Sequence, residues 1–118
     1  MVMTVENLAF DAEDPRRLAA FWAEVIGHPV DEGASPYFAT IGKRPNDLRP
    51  AWLFIKVPEA KTAKNRLHLD LRASDVPADL ATLSRLGATK LGEYDEWGSQ
   101  WVSFEDPEGN VFDVATPR

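Results

Sequence analysis

An α+β fold built from two copies of one strand–helix–three-strand unit is predicted by three observations. The stretch Leu67-His68-Leu69-Asp70-Leu71 alternates strictly between apolar and ionisable residues, the period of a strand with two unlike faces. Shifting the chain by 61 residues lays Asp14 on Asp75, Leu8-Ala9-Phe10 on Leu69-Asp70-Leu71, and Asn7 on His68. After each of these strands come an acidic residue, a nearby proline and a helical run that ends at a glycine.

The elements follow in order. Val5 to Phe10 reads as a first strand, with Val5, Asn7 and Ala9 on one face and Glu6, Leu8 and Phe10 on the other. Asp14 and Pro15 start a helix, an N-cap oxygen followed by a residue whose φ already suits the first turn. Leu18, Phe21, Trp22 and Val25 form one apolar stripe on it, which assigns Trp22 to the core, and Gly27 stops it. Pro29 to Glu32, Tyr37 to Ile41 and Trp52 to Val57 are read as strands, with a polar, proline-bracketed loop from Gly42 to Pro50.

In the second half, Leu67, Leu69 and Leu71 are expected against a helix, leaving His68 and Asp70 on the opposite face. Asp75 caps a helix from about Pro77 to Leu86, ended by Gly87. Ala88 to Leu91 is read as a strand and Gly92 to Ser99 as a loop carrying Trp97. Trp101 to Phe104 and Val111 to Ala115 are strands around the turn Asp106-Pro107-Glu108-Gly109-Asn110. The division is one domain over residues 1–118, with modules at about 4–57 and 67–116 joined by a polar, Lys-rich linker at 58–66.

Composition narrows the function classes. A net charge of −6 argues against a nucleic-acid backbone as partner and favours neutral or cationic ligands. The absence of cysteine excludes disulfides, thiolate chemistry and Cys-ligated metal. With no basic, apolar leader and no membrane-length apolar run, the expectation is a cytoplasmic protein. No glycine-rich phosphate loop is present, and Ser35, Ser84, Ser99 and Ser103 lack a nucleophile-elbow context.

The chain resembles the vicinal oxygen chelate superfamily, the glyoxalase, bleomycin-resistance and extradiol dioxygenase group, and within it the small glyoxalase-like domain proteins. The resemblance is carried by Asp14-Pro15 with the helix Leu18 to Gly27, by Lys64 to Leu71, and by Asp106-Pro107-Glu108-Gly109-Asn110-Val111-Phe112-Asp113. It implies two βαβββ modules whose mixed sheets curl around a cleft, commonly in a homodimer. It also implies a metal site with one ligand from the first and one from the last strand of each module. Carried over by position, those ligands fall on Asn7 and Ile55 in the first module and on His68 and Asp113 in the second.

Asn7 is a weak ligand and Ile55 cannot coordinate, so the resemblance implies no tightly held cofactor, with a divalent metal held by His68 and Asp113 as the other possibility. Asp70 shares the His68 face but stands about 7 Å along a regular strand, which is too far to share an ion. Plainer roles for both residues stay open. His68 can be a strand histidine that bonds a neighbour, and Asp113 a surface carboxylate beside Val111 and Ala115. As catalytic groups, the pair His68 and Asp113 would act in acid–base chemistry near a bound substrate.

Asn7, Ile55, Asp70, Trp97 and Trp101 are the expected ligand contacts, the tryptophans because aromatics on a concave sheet suit a flat or apolar small molecule. The resulting expectation is a small-molecule-binding protein of the glyoxalase and bleomycin-resistance type, its ligand in the cleft between modules. The alternative is a metal-assisted lyase, isomerase or dioxygenase, and a third class is a structural dimer with a vestigial cleft.

Overall fold

The computed structural model describes residues 1–43 and 48–116, so the middle of the expected Gly42–Pro50 loop lies outside the described residues. The chain forms two compact units, residues 1–60 and 61–118, each a sheet with one helix.

The first unit contains β1 (Asn7–Ala12), α1 (Pro15–Ile26), β2 (Phe38–Ile41) and β3 (Ala51–Lys56). The Asp14 carboxylate accepts from the Arg17 N–H at 3.2 Å, and Gly27 closes α1 in the left-handed region at φ 68°. The sheet order is β1-β3-β2, with β1 and β3 parallel and β2 antiparallel to β3. Pro29 to Glu32 does not form a strand, and what remains of it is one bridge from Val30 to Ile41. Pro29 has no N–H to donate, and Gly33 follows at φ 94°, so a ladder cannot extend there.

Aromatic packing holds α1 to this sheet. Trp22 is 1% exposed and its ring lies 5.9 Å from Phe10 and 5.3 Å from Trp52, while Phe10 stacks on Phe54 at 5.2 Å. Phe10, Trp52 and Phe54 therefore face α1, and the alternation turns Asn7, Ala9, Leu53 and Ile55 to the opposite face.

The second unit contains β4 (Asp70–Arg72), α2 (Val76–Leu86), β5 (Thr89–Glu96), β6 (Ser99–Glu105) and β7 (Val111–Ala115), in the order β4-β7-β6-β5. Its first and last strands are again parallel, so the repeat seen in the sequence is also a repeat of topology. Val102, Phe104, Phe112 and Val114 are buried on one face with Leu83 of α2. Asp79 accepts from the backbone N–H groups of Asp75 and Ser74, both at 3.0 Å, and these bonds, the one from Asp75 foremost, hold its carboxyl below the usual range.

Two expectations about this unit need correction. Leu67 is 74% exposed and the regular strand begins only at Asp70. The Asn65 side chain is the reason: its Oδ1 accepts from the Val111 N–H and its Nδ2 donates to the carbonyls of Leu67 and Val111. A side-chain amide occupies the start of the ladder and backbone pairing to β7 sets in at the bond from the Asp113 N–H to the Leu69 carbonyl, so Leu67 precedes the pleat and is not turned to the core. Leu69 and Leu71 are half-buried.

The second correction concerns Gly92 to Ser99, which is not a loop. β5 runs on to Glu96, with a bulge between Lys90 and Gly92, and turns into β6 through Trp97 and Gly98 alone. Both turn residues have positive φ, 50° and 76°, the combination that matches a two-residue turn to the twist of a hairpin. Acidic residues tolerate this strand because it lies at the sheet edge, paired on one side only.

Candidate functional site

The open face of the second sheet gathers the chemistry. Asp70 and Asp113 are register partners on β4 and β7, and Ser103 is the partner of Asp113 on β6, so all three side chains emerge on one face in a row. His68 precedes β4, and its ring reaches the same place: Nδ1 lies 2.9 Å from Asp70 Oδ1 and 3.7 Å from Asp113 Oδ2. The Asp113 N–H donates to the Leu69 carbonyl at 2.9 Å, which ties the residue between His68 and Asp70 to the central strand.

Asp113 is the best-anchored member. Its Oδ1 accepts from the Ser103 hydroxyl at 2.5 Å, leaving Oδ2 directed to His68. With the imidazole proton on Nδ1, the ring donates to Asp70 and presents the Nε2 lone pair; with the proton on Nε2, the Nδ1 lone pair would face two carboxylates. Half of the His68 side chain is exposed, so the group is accessible from solvent.

Asp70 therefore shares a donor cluster with His68, against the expectation. The separation of about 7 Å is a spacing of backbone positions, and the side-chain tips close it to 2.9 Å. His68 lies before the ladder begins, and its ring folds onto Asp70. Donor atoms of His68, Asp70 and Asp113 all fall within 4.8 Å of one another. One imidazole nitrogen and two carboxylate oxygens are a donor set that suits a borderline or hard divalent cation such as Mn²⁺, Fe²⁺ or Zn²⁺.

An aromatic row continues the same face. Trp101 lies two residues before Ser103 on β6, diagonal to Asp113. Tyr94 stacks on it at 5.4 Å and 19°, and Trp97 stacks on it at 6.4 Å and 11° from the hairpin turn. The bare Cα of Gly92 gives the Tyr94 ring its place, since a Cβ there would stand 3.0 Å from the phenol oxygen. Trp97 is 88% exposed.

The first-module residues are not brought together. In the β1–β3 register Asn7 pairs with Ala51 and Ile55 with Asp11, so Asn7 and Ile55 stand four rungs apart, about 13 Å. The rung equivalent to Asp70–Asp113 is Ala9–Leu53, which makes Leu53, not Ile55, the counterpart of Asp113. Asn7 Oδ1 is buried without a hydrogen-bond partner among the described residues. Sequence reasoning missed Asn65, Tyr94 and Ser103. The signal for Ser103 was its place two residues after Trp101 on an alternating strand.

Two topologically equivalent βαβ-type units, one carrying a histidine–carboxylate group on its open sheet face, define the glyoxalase, bleomycin-resistance and dioxygenase class of fold. Residues 7–115 match the glyoxalase-like domain family, and the chain belongs to it. Among solved structures, a glyoxalase/bleomycin resistance protein/dioxygenase family enzyme from Burkholderia phytofirmans is similar with a TM-score of 0.75 at 18% identity, over 96% of this chain and 98% of that one. The fosfomycin resistance protein FosX of Listeria monocytogenes, an E126Q mutant complexed with Mn(II) and a dihydroxypropylphosphonic acid, gives 0.77 at 10% identity over 100% and 93%. TnmS3, an antibiotic-binding protein from a Streptomyces species, gives 0.66 at 20% over 99% and 98%. No curated protein matches the chain in sequence. Among the described residues no helix is long and apolar enough to cross a membrane.

Proposed function

We propose that the protein binds a flat, neutral or cationic small molecule on the open face of its second sheet. The observation that carries this reading is the adjacency of an acidic pole, Asp70 and Asp113 with His68, to the stacked Tyr94, Trp101 and Trp97. Aromatic faces recover apolar area and attract cations through their quadrupole. The carboxylates would take a positive or hydrogen-bond-donating group, in keeping with the net charge of −6. Relatives in fold that bind antibiotics or other small molecules lend it support.

Tryptophan fluorescence titrated with a panel of planar aromatic cations, and separately with bleomycin, tests the proposal. Trp101→Ala is expected to weaken the best binder by about 10–100-fold, the loss typical of a central aromatic anchor, whereas Trp101→Phe keeps most of the affinity. Failure of every probe to bind below millimolar concentration, or an unchanged Trp101→Ala, would remove it.

A second reading is favoured by the three donor atoms at His68, Asp70 and Asp113: a metal-assisted lyase, isomerase or dioxygenase. A divalent ion held there would polarise a substrate oxygen. His68, Asp70 and Asp113 would hold that ion, and Trp101 would exclude water from one side. A homodimer is proposed as the working assembly, because Val5, Tyr37, Phe38, Ile55 and Trp97 all leave large apolar surface exposed. Sedimentation at micromolar concentration should give twice 13.2 kDa, and a monomer throughout would count against it.

A further inference from the structure

We infer that the second unit carries a further binding groove on the helix side of its sheet, where Val76 and Leu80 of α2 face Val102 inside an acidic rim, and that this groove takes the apolar group of an ammonium amphiphile. It lies across the sheet from the rings of Tyr94 and Trp101 and from the His68 group. The inference therefore goes beyond the function proposed above and stands without it.

The repeat shows why space is left there. α1 buries Leu18, Ala19, Phe21 and Trp22 against its three strands, whereas α2 buries only Leu83 among the described residues. A shift of 61 lays Phe21 on Thr82 and Trp22 on Leu83, and α2 contains no aromatic residue. The second sheet is nevertheless the wider, with four strands. A slimmer helix over a wider sheet leaves a gap, because close-packed side chains elsewhere cannot flow into it. That gap is a groove of about 380 Å³, within the range of small-molecule sites.

Strand alternation fixes what lines it. Val102 is buried on the α2 face and pairs with Glu93, while Asp95 pairs with Gln100 two residues on. The side chains of Glu93, Asp95 and Gln100 therefore point to the α2 side. Tyr94 and Trp101 border the groove as well, but their rings stack on the other face. Val76 and Leu80, one helical turn apart and half-buried, make the opposite wall.

Charge selects the occupant. The lining carries two carboxylates, Glu93 and Asp95, against one ammonium, that of Lys90, which already lies 2.5 Å from Glu93. The Gln100 amide donates to Asp95 at 3.3 Å. The start of α2 does not favour an anion either. Asp79 accepts from the N–H groups of Ser74 and Asp75, and Asp75 from that of Ala78. Apolar walls under a rim with carboxylates in excess suit a chain or ring that ends in an ammonium, and they repel one that ends in a carboxylate.

Methyl-resolved nuclear magnetic resonance of the intact chain, titrated with n-octylammonium, octan-1-ol and octanoate, tests the inference. Octylammonium is expected to shift the Val76, Leu80 and Val102 methyl signals saturably, with octan-1-ol weaker and octanoate at least about tenfold weaker. Asp95→Asn should weaken octylammonium about two- to fivefold, the effect of a solvent-facing charge. Leu80→Phe fills the groove, so it should lower octylammonium affinity at least about tenfold while the thermal midpoint holds or rises. Val76→Phe fills the same space from the helix start and replaces it if Leu80→Phe does not fold. Ligands of the open face move the Trp97 indole signal instead, so the failure of one site is told apart from the failure of the other. The inference is overturned by no saturable shift of these methyls below about 10 mM octylammonium, by octanoate binding as tightly, or by a folded Leu80→Phe that binds as before. Shifts of the same methyls with protein concentration alone would assign the groove to a second copy of the chain and overturn it too.

Discussion

Trp22→Ala is expected to destabilise the first unit by about 3–5 kcal/mol, the range for deleting a large buried aromatic. Trp22 is 1% exposed and joins α1 to both long strands through Phe10 and Trp52, with Phe21 edge-on at 5.2 Å. The sheet beneath has only three strands, so few other groups can collapse into the space. Against a typical total of about 5–15 kcal/mol, such a loss leaves little margin. Urea unfolding should show a midpoint shift with the slope unchanged. A cost under about 1 kcal/mol would mean that α1 is held by something other than this aromatic cluster.

Asp106→Ala is expected to cost about 2–4 kcal/mol, because it removes a charged acceptor and strands its donors. The residue is 3% exposed, and its Oδ1 accepts from the N–H groups of Glu108 and Asn110 at 2.9 and 3.0 Å. The Asn110 side-chain amide donates to both carboxylate oxygens. The turn fixes the offset of β6 against β7, and that offset sets Ser103 beside Asp113. Asp106→Ala should therefore lower the thermal midpoint. Asp106→Asn, which keeps one acceptor oxygen, should recover part of that loss. A variant that melts like the parent would show that the backbone bonds from the Asp106 N–H to the Asn110 carbonyl and from the Gly109 N–H to the Asp106 carbonyl hold the turn by themselves.

Much of the architecture was legible in the chain because its signals are local. Asp14-Pro15 and Asp75 before Pro77 start helices through their own side chains and backbone, and Gly27 and Gly87 end them in the left-handed region. The offset of 61 residues predicted that what one half does the other repeats, and both sheets pair their first and last strands in parallel beside an antiparallel neighbour, though the first sheet stops at three strands and the second reaches four. The β5 hairpin was less legible. Gly92 and the acidic residues after it have weak strand preference, and only pairing with β6 makes them a strand.

The candidate site divides along the same line. Alternation by itself determined that Asp70 shares a face with His68, and Asp113 with Val111 and Ala115, because a period of two is a property of each segment alone. Which rungs meet is a matter of register between segments some forty residues apart, and no single segment contains it. Register put Asp113 between Asp70 and Ser103, and it also put Ile55 out of reach of Asn7. Nor does the period hold where a ladder has not begun. The Asn65 amide takes the first rung on Val111, so His68 lies outside the pleat and its ring can turn onto Asp70. The sequence determined the residue types and their faces, and the tertiary structure decided which of them share a contact, since contacts between strands depend on pairings that only the folded chain makes.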